Sequence, residues 1–260
     1  MTVIESASNE KIKSAAKLSA SSKERKEKQE FFLEGLRICR DAADCGIAIK
    51  SFFYTENALE KHEADVNFIA SKSKQAFLVS KAAAQKMSDT QNPQGFFCVC
   101  PFLSEKGEEL ILEGGKFIVL QNVQDPSNLG AISRTAEALG IKAIIAENGC
   151  DIYNPKAQRA AMGSLLRLPV IKTENLCALL ERCKKSGFKA YATTPSKNAA
   201  LITECDMSGS VIAVIGNEGN GVSEEIFDVC ERVTIPMSGR AESLNASVAA
   251  ALTMWELMRK

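Results

Sequence analysis

The sequence lacks the long apolar run that a membrane-spanning helix needs, and its start has no apolar core of the kind found in secretion signals. Its nine cysteines include no CxxC pair, and only Cys98 and Cys100 lie close together. This scattered pattern argues against a disulfide scaffold and against a zinc site. We therefore expect a cytoplasmic protein without a metal ion, in which Cys98 and Cys100 are buried free thiols on one face of a strand.

The sequence also lacks an excess of either charge, since 32 lysines and arginines balance 32 aspartates and glutamates. A nucleic-acid partner would have to be bound by a local basic patch rather than by the field of the whole molecule. One candidate patch lies in residues 7–30, whose basic side chains are Lys11, Lys13, Lys17, Lys23, Arg25, Lys26 and Lys28. Two interpretations stay open here, a solvent-exposed helical face and an edge that contacts phosphates.

A length of 260 residues is typical of one or two domains. A stretch rich in charge and glycine, residues 104–115, is a candidate linker. We therefore expect a small α/β domain over residues 1–108 and a larger α/β domain over residues 109–260. In the first domain, the pattern predicts a helix over 35–45 and strands over 31–33, 49–54, 75–79 and 96–102.

After the linker, strand patterns alternate with helix patterns. The predicted strands are 116–122, 141–147, 188–193, 211–215 and 232–237. The predicted helices are 129–139, 155–166, 176–186, 223–230 and a long one that follows Asn245. Such alternation predicts a mostly parallel sheet with helices on both faces.

Three segments share a plan in which a strand runs through a polar loop into a helix. They are residues 125–140, 211–225 and 235–257. The third passes from a Ser-Gly turn through Ser243 and Asn245 directly into a helix, which places two small polar side chains where a ligand can approach backbone amides. Three such loops in one domain indicate a binding site.

The loop Gly216–Gly221 does not fit the nucleotide-binding patterns that it resembles superficially. Its glycine order is GxxGxG rather than GxGxxG, and Val222 stands where a P-loop needs lysine. Glu224 and Glu225 follow in the first turn of the next helix, where carboxylates would repel a pyrophosphate. This argues against a nucleotide-dependent oxidoreductase. Two interpretations stay open, a tight turn with a capped helix and a loop that holds a cationic or neutral ligand.

Arg134 lies six residues after Asn128, across a predicted helix start that Asp125 and Pro126 introduce. We expect Arg134 to lie near the loop. An arginine there is suited to a salt bridge, to a phosphate contact or to the charge of a reacting sugar oxygen.

The three segments together resemble the three signature motifs of the SpoU–TrmH family of RNA ribose 2′-O-methyltransferases, in the SPOUT class. The matching residues are Asn128, Gly130, Arg134 and Gly140 in motif one; Gly216, Glu218, Gly219 and Gly221 in motif two; and Ile235, Pro236, Met237, Gly239, Ser243, Leu244 and Asn245 in motif three. The basic start and the runs 32–35 and 93–95 resemble the family's small substrate-binding domain, which is akin to certain ribosomal proteins. One departure is the charged run 240–242 before Ser243.

The resemblance implies a ribosomal-protein-like first domain, a second domain with a deep trefoil knot, and a homodimer. It implies S-adenosylmethionine as cofactor, held by Thr193, Ile215, Gly216, Asn217, Ile235, Met237, Leu244 and Ala246. It implies catalytic roles for Asn128, Arg134, Glu218, Ser243 and Asn245. A guanidinium hardly deprotonates, so Arg134 is expected to stabilise charge rather than to accept the proton. His62, the single histidine, is expected at the surface of the first domain.

We therefore expect an enzyme that methylates a ribose 2′-hydroxyl in structured RNA, with ribosomal RNA as the first candidate. Transfer RNA is the alternative substrate, and a non-catalytic RNA-binding protein of the same fold is the alternative function. Lys23, Arg25 and Lys26 are the expected RNA contacts.

Overall fold

The structure is a computed structural model that describes residues 2–104 and 107–259. The helices are α1 Glu10–Ala20, α2 Ser22–Lys28, α3 Leu36–Asp44, α4 Glu56–Lys61, α5 Glu63–Lys72, α6 Lys81–Met87, α7 Glu109–Leu112, α8 Pro126–Leu139, α9 Pro155–Ala161, α10 Ser164–Arg167, α11 Leu176–Lys185, α12 Glu224–Val229 and α13 Ala246–Met258. The strands are β1 Thr2–Ile4, β2 Glu30–Glu34, β3 Ser51–Thr55, β4 Ala76–Val79, β5 Phe96–Pro101, β6 Lys116–Gln121, β7 Ala143–Glu147, β8 Val170–Thr173, β9 Lys189–Thr193, β10 Ala200–Leu201, β11 Val211–Ile215 and β12 Glu231–Thr234.

Contacts divide the chain into two compact units. The first unit comprises Met1–Ser104 and Asp151–Leu166, and the second comprises Glu105–Cys150 and Arg167–Lys260. We expected the domains to divide between residues 108 and 109. The structure adds residues 151–166 to the first unit, which the sequence did not predict. Apolar packing explains the return, because the Tyr153 ring lies 4.7 Å from that of Phe31 and 4.0 Å from that of Phe102.

The sheet of the first unit has the strand order β1-β4-β3-β5-β2, in which β5 runs antiparallel to both of its neighbours. Successive side chains of a strand point to opposite faces, and here both faces are buried. Phe31 and Phe52 pack in one apolar cluster, while their neighbours Phe32 and Phe53 pack in the other. This explains why the strands of this unit are continuous apolar runs.

The predicted helix over 155–166 is interrupted in the structure. It forms two short helices, α9 and α10, separated by Met162 and Gly163. Both residues have left-handed backbone angles, with φ of 50° and 89°. A right-handed helix cannot continue through that conformation. Other expected helices and strands are present near their predicted positions. The sequence patterns missed the strands β1, β8 and β10 and the helices α4, α5, α6 and α7.

The structure corrects the expectation for Arg25. Its side chain is only 3% exposed, and Nε donates a hydrogen bond to Asp151 Oδ2 at 2.8 Å. Nη1 donates to the carbonyl oxygens of Leu18 at 2.7 Å and of Ser19 at 3.2 Å. Arg25 therefore ties α1 and α2 to residue 151 and does not face an RNA partner. Lys23 and Lys26 are exposed on the same helix.

The sheet of the second unit confirms the expected parallel architecture. Its seven strands are in the order β10-β12-β9-β11-β6-β7-β8, and every pair is parallel. On one face, α11 and α12 contribute to an apolar cluster with alternate residues of β6, β7 and β11. Helix α13 packs against α8 and against β6 and β11. The knot that the resemblance implies stays a prediction.

The strand order explains how distant segments meet. Strands β12, β9, β11 and β6 are consecutive neighbours in the parallel sheet, so their carboxyl ends lie along one edge. The three polar loops follow β6, β11 and β12. In parallel sheets, ligands bind in the crevice outside these carboxyl ends.

Two further findings concern the cysteines and the lengths of the helices. Cys98 and Cys100 are buried free thiols in one apolar cluster, as expected, and burial raises the pKa of both. Among the described residues, no helix combines the length and apolarity needed to cross a bilayer.

Candidate active site

Helix α8 begins with a local signal that fixes the first motif. The side chain of Asp125 accepts a hydrogen bond from the Ser127 N–H at 2.8 Å, and Pro126 occupies the first helical position. Both features are typical of helix starts. They place Asn128 in the first turn, where it is 6% exposed.

The second motif is a tight loop that requires glycine at its base. Asn217 and Gly221 exchange two backbone hydrogen bonds of 3.0 Å. A Cβ on Gly216 would lie 2.1 Å from the carbonyl carbon of Gly221, so no side chain fits there. The folded loop presents Glu218 towards the start of α8.

The Glu218 carboxylate is held by three hydrogen bonds from the first motif. Oε1 accepts from Asn128 Nδ2 at 2.9 Å and from the Asp125 N–H at 3.2 Å. Oε2 accepts from the Gln124 N–H at 3.3 Å. Partial burial acts to raise the pKa of Glu218, but hydrogen bonds from Asn128, from backbone N–H groups including its own, and from residues 124 and 125 outweigh it and lower the pKa. Glu218 is therefore a carboxylate at neutral pH.

The third motif joins the same network through Asn245. This residue caps α13, since its Oδ1 accepts from the Ser247 N–H at 2.9 Å. Its Nδ2 donates to Asn128 Oδ1 at 3.1 Å. The Asn128 amide thus donates to Glu218 and accepts from Asn245, so one side chain links all three motifs.

Beside this network lies a cavity of about 350 Å³, within the size range of small-molecule sites. All eight residues expected to hold the cofactor line it: Thr193, Ile215, Gly216, Asn217, Ile235, Met237, Leu244 and Ala246. Ser243 and Glu218 also line it. Thr194, Pro195 and Phe227 were not expected, and the local pattern around them carries no motif that could have indicated them.

The cavity suits a ligand that is apolar in part and positively charged in part. Ile215, Ile235, Met237 and Leu244 supply apolar walls, and Glu218 and Glu224 supply carboxylates. The lining residues include no lysine, arginine or histidine. A sulfonium and an ammonium group fit such a lining, whereas a pyrophosphate would be repelled.

Arg134 lies apart from this network. It is exposed on α8, does not line the cavity, and within residues 2–104 and 107–259 makes no hydrogen bond or ion pair. Six residues of helix separate it from Asn128 by about 9 Å along the axis. The structure thus brings Asn128, Glu218, Ser243 and Asn245 together and leaves the Arg134 guanidinium free.

Two other expectations concern the single histidine and a metal site. His62 is exposed in the first unit, as expected, with its ring edge against Phe96. Over the described part of the chain, no three or more His, Cys, Asp or Glu side chains are grouped to hold a metal ion.

Comparison with known proteins agrees with this geometry. Residues 115–255 match the model of the SpoU rRNA Methylase family, and residues 9–98 match the MRM3-like substrate binding domain. The chain is 33% identical to the Bacillus subtilis (strain 168) 23S rRNA (guanosine(2553)-2′-O)-methyltransferase RlmP, over 99% of each chain.

Solved structures give the same answer. An AdoMet-bound rRNA methyltransferase from Sinorhizobium meliloti superposes with a TM-score of 0.85 at 27% identity, over 99% of this chain and 98% of the other. An RNA 2′-O ribose methyltransferase superposes with a TM-score of 0.82 at 27% identity, over 99% of this chain and 98% of the other. The fold and the site define an RNA methyltransferase. The chain belongs to the SpoU rRNA methylase family.

Proposed function

We propose that this protein transfers a methyl group from S-adenosylmethionine to a ribose 2′-hydroxyl of ribosomal RNA. The observation that carries the proposal is the joining of three motif loops by Asn128 beside a cavity lined by the expected cofactor residues. The similarity to RlmP over the full length of both chains favours ribosomal RNA over transfer RNA. The assembled Asn128–Glu218–Asn245 network argues against a non-catalytic RNA-binding protein.

The cofactor would be held by the cavity residues of the second unit. Its apolar parts fit against Ile215, Met237 and Leu244, and its positive charge is complemented by Glu218 and Glu224. When bound, S-adenosylmethionine supplies a methyl group on a positively charged sulfur.

Glu218 acts by position rather than as a base. Burial acts to raise the pKa of Glu218, but the hydrogen bonds from Asn128 and from backbone N–H groups lower it. Glu218 is therefore a weak proton acceptor at neutral pH. Its oxygens are also occupied by Asn128 and two backbone N–H groups. We infer that Glu218 and Asn128 fix the loops around the reacting ribose, which lowers the barrier through orientation.

Arg134 is the candidate for stabilising charge. A ribose hydroxyl becomes negatively charged as it reacts, and it lies beside a phosphate in RNA. A guanidinium presents a planar set of donors that suits either oxygen, and Arg134 is exposed and engaged by no other described residue. We propose that it contacts the reacting oxygen or the adjacent phosphate once RNA is bound.

Arg134→Ala should lower the single-turnover methylation rate by about 10²–10³ and leave S-adenosylmethionine affinity unchanged, because one preorganised donor to the developing charge is lost. Arg134→Lys should recover little, since an ammonium lacks the planar set of donors. Arg182→Ala is the matched control, because Arg182 is an exposed arginine near the end of α11. A folded Arg134→Ala variant with near-wild-type methylation would remove Arg134 from the mechanism.

The RNA surface is proposed to include Lys23 and Lys26, which are exposed on α2 of the first unit. Reversing both to glutamate should weaken RNA binding and flatten its dependence on salt, because fewer counterions are released. The measurement is a filter-binding titration at several salt concentrations. Lys61→Glu with Lys86→Glu makes the same double reversal at exposed lysines of α4 and α6, as a control. Equal weakening by the control, or unchanged affinity in the double variant, would refute a local RNA surface at α2.

A homodimer is proposed through the exposed face of α13. The small residues Ala246 and Ala250 are buried inside the unit, whereas Val248, Leu252 and Trp255 are 46%, 42% and 56% exposed. Their spacing places the three on one helix face. We infer that a second copy of the chain covers this apolar stripe.

Light scattering should therefore give about twice the 28.1 kDa chain mass, and Leu252→Glu with Trp255→Glu should give the monomer, because buried charges oppose association. Leu112→Glu, at a 69% exposed leucine outside α13, should leave the mass unchanged. A wild-type monomer at working concentration contradicts the proposal.

A further inference from the structure

Gln121, the last residue of β6, is a buried side chain whose amide is fully engaged at the edge of the site. It is 7% exposed. Its Oε1 accepts from the Ser223 N–H at 2.9 Å, and its Nε2 donates to Ser223 Oγ at 2.9 Å and to Glu147 Oε2 at 3.1 Å. Both halves of the amide are therefore used, one as an acceptor and one as a donor.

Ser223 lies two residues after Gly221, the last residue of the Gly216–Gly221 loop, and directly precedes α12. The other end of the loop is also anchored at the end of β6, because Asn217 Nδ2 donates to the carbonyl oxygen of Asn122 at 2.8 Å. Consecutive residues, Gln121 and Asn122, thus hold the two ends of the loop. This loop forms one wall of the cavity.

Glu147 extends the connection to a third element. Its Oε1 accepts from the Leu176 N–H at 3.0 Å, at the first residue of α11. The hydrogen bonds run from α11 through Glu147 and Gln121 to Ser223. A carboxylate in place of the Gln121 amide would accept from the Ser223 N–H but would face the Glu147 carboxylate without a proton between them.

We propose that Gln121 is a positioning residue for S-adenosylmethionine binding, because its amide ties Ser223 to Glu147 and so fixes the Gly216–Gly221 loop as a wall of the cavity. The inference rests on the proposed function for the identity of the ligand. It concerns a residue outside the three motifs, and Gln121 itself does not line the cavity.

The surroundings of Gln121 make its replacement by glutamate sensitive to pH. The titratable and charged groups on the elements around it are Glu147 on β7; Lys172 on β8; Cys177, Glu181, Arg182, Cys183, Lys184 and Lys185 on α11; and Glu224, Glu225 and Asp228 on α12. Of these, Glu147 is hydrogen-bonded to the Gln121 side chain, at 3.1 Å. A carboxyl at position 121 would therefore lie against the Glu147 carboxylate and would hold a proton more strongly than usual.

Gln121→Glu should therefore bind S-adenosylmethionine about tenfold or more weakly than wild type at pH 8.5, where two carboxylates repel each other. At pH 5.5 the affinity should return towards wild type, because a shared proton restores a donor between residues 121 and 147. The measurement is calorimetry with S-adenosylmethionine at both pH values, with wild type compared at each. Gln85→Glu, at an exposed glutamine of α6, is the matched control and should bind as wild type does.

The double variant Gln121→Glu with Glu147→Gln exchanges the amide and the carboxylate. It should regain most of the wild-type affinity at pH 8.5, because the amide at 147 can donate to the carboxylate at 121 while its oxygen accepts from Leu176. Rescue is the result expected only if the two side chains act as a pair. A folded Gln121→Glu that binds as wild type at pH 8.5 overturns the proposal, and so does a double variant no better than the single one.

Two further measurements separate the possible failures. Thermal melts at both pH values show whether each variant is folded. If Gln121→Glu is unfolded at pH 8.5, the double variant decides. A double variant that is unfolded or binds weakly then counts against the proposal. Amide hydrogen exchange without ligand tests the tie itself, since Gln121→Ala removes every hydrogen bond of the amide and should speed exchange at residues 217–221. Wild type that binds no S-adenosylmethionine refutes the proposed function, whereas unchanged exchange in a folded Gln121→Ala refutes the role of Gln121.

Discussion

The candidate active site depends on the hydrogen bonds of one buried amide, that of Asn128. Its Nδ2 donates to Glu218 and its Oδ1 accepts from Asn245, at 2.9 Å and 3.1 Å. The partners lie 90 and 117 residues away in sequence. A buried amide whose partners are missing costs about 1–3 kcal/mol, so the network strongly favours the arrangement in which all three loops are together.

The parallel sheet makes that arrangement possible. Because β6, β11, β9 and β12 are neighbours, the loops that follow them share one edge, and their hydrogen bonds need only fix details of position. Glu218 supplies a negative charge to this arrangement. Hydrogen bonds keep it ionised, and its charge complements a cationic ligand while discouraging phosphate from the cavity. The same loop holds the first motif, and in our proposal it also selects the cofactor class.

Much of this site could be predicted from the sequence because its signals are local. Asp125 and Pro126 are typical of a helix start, Gly216 occupies a position that has no room for a side chain, and Asn245 caps a helix. Each local signal fixes part of a loop or helix start that follows a parallel strand, and the alternating pattern indicates that these loops lie along one edge of the sheet. The eight residues that the family resemblance, rather than any local signal, assigned to the cofactor do line one cavity.

The parts that could not be predicted depend on pairings between distant residues. Nothing near Arg25 distinguishes it from Lys23 and Lys26, yet Arg25 turns inward because Asp151, 126 residues away, accepts its hydrogen bond. Residues 151–166 follow a strand of the second unit, and contacts between distant residues, such as the packing of Tyr153 on Phe31, reveal that they belong to the first. Gln121 belongs to no motif, and its role is visible only through Ser223 and Glu147.

The central claim is that Asn128 joins the three loops into one site, and a double-mutant cycle on S-adenosylmethionine affinity tests it most directly. The variants are Asn128→Ala, Asn245→Ala and the pair, measured by calorimetry with a thermal melt of each. The account predicts that the double variant loses less than the sum of the single losses by about 1 kcal/mol, roughly a fivefold difference in affinity, because each single change already breaks the shared hydrogen bond. Strictly additive losses in folded variants would contradict it, since the two residues would then act independently.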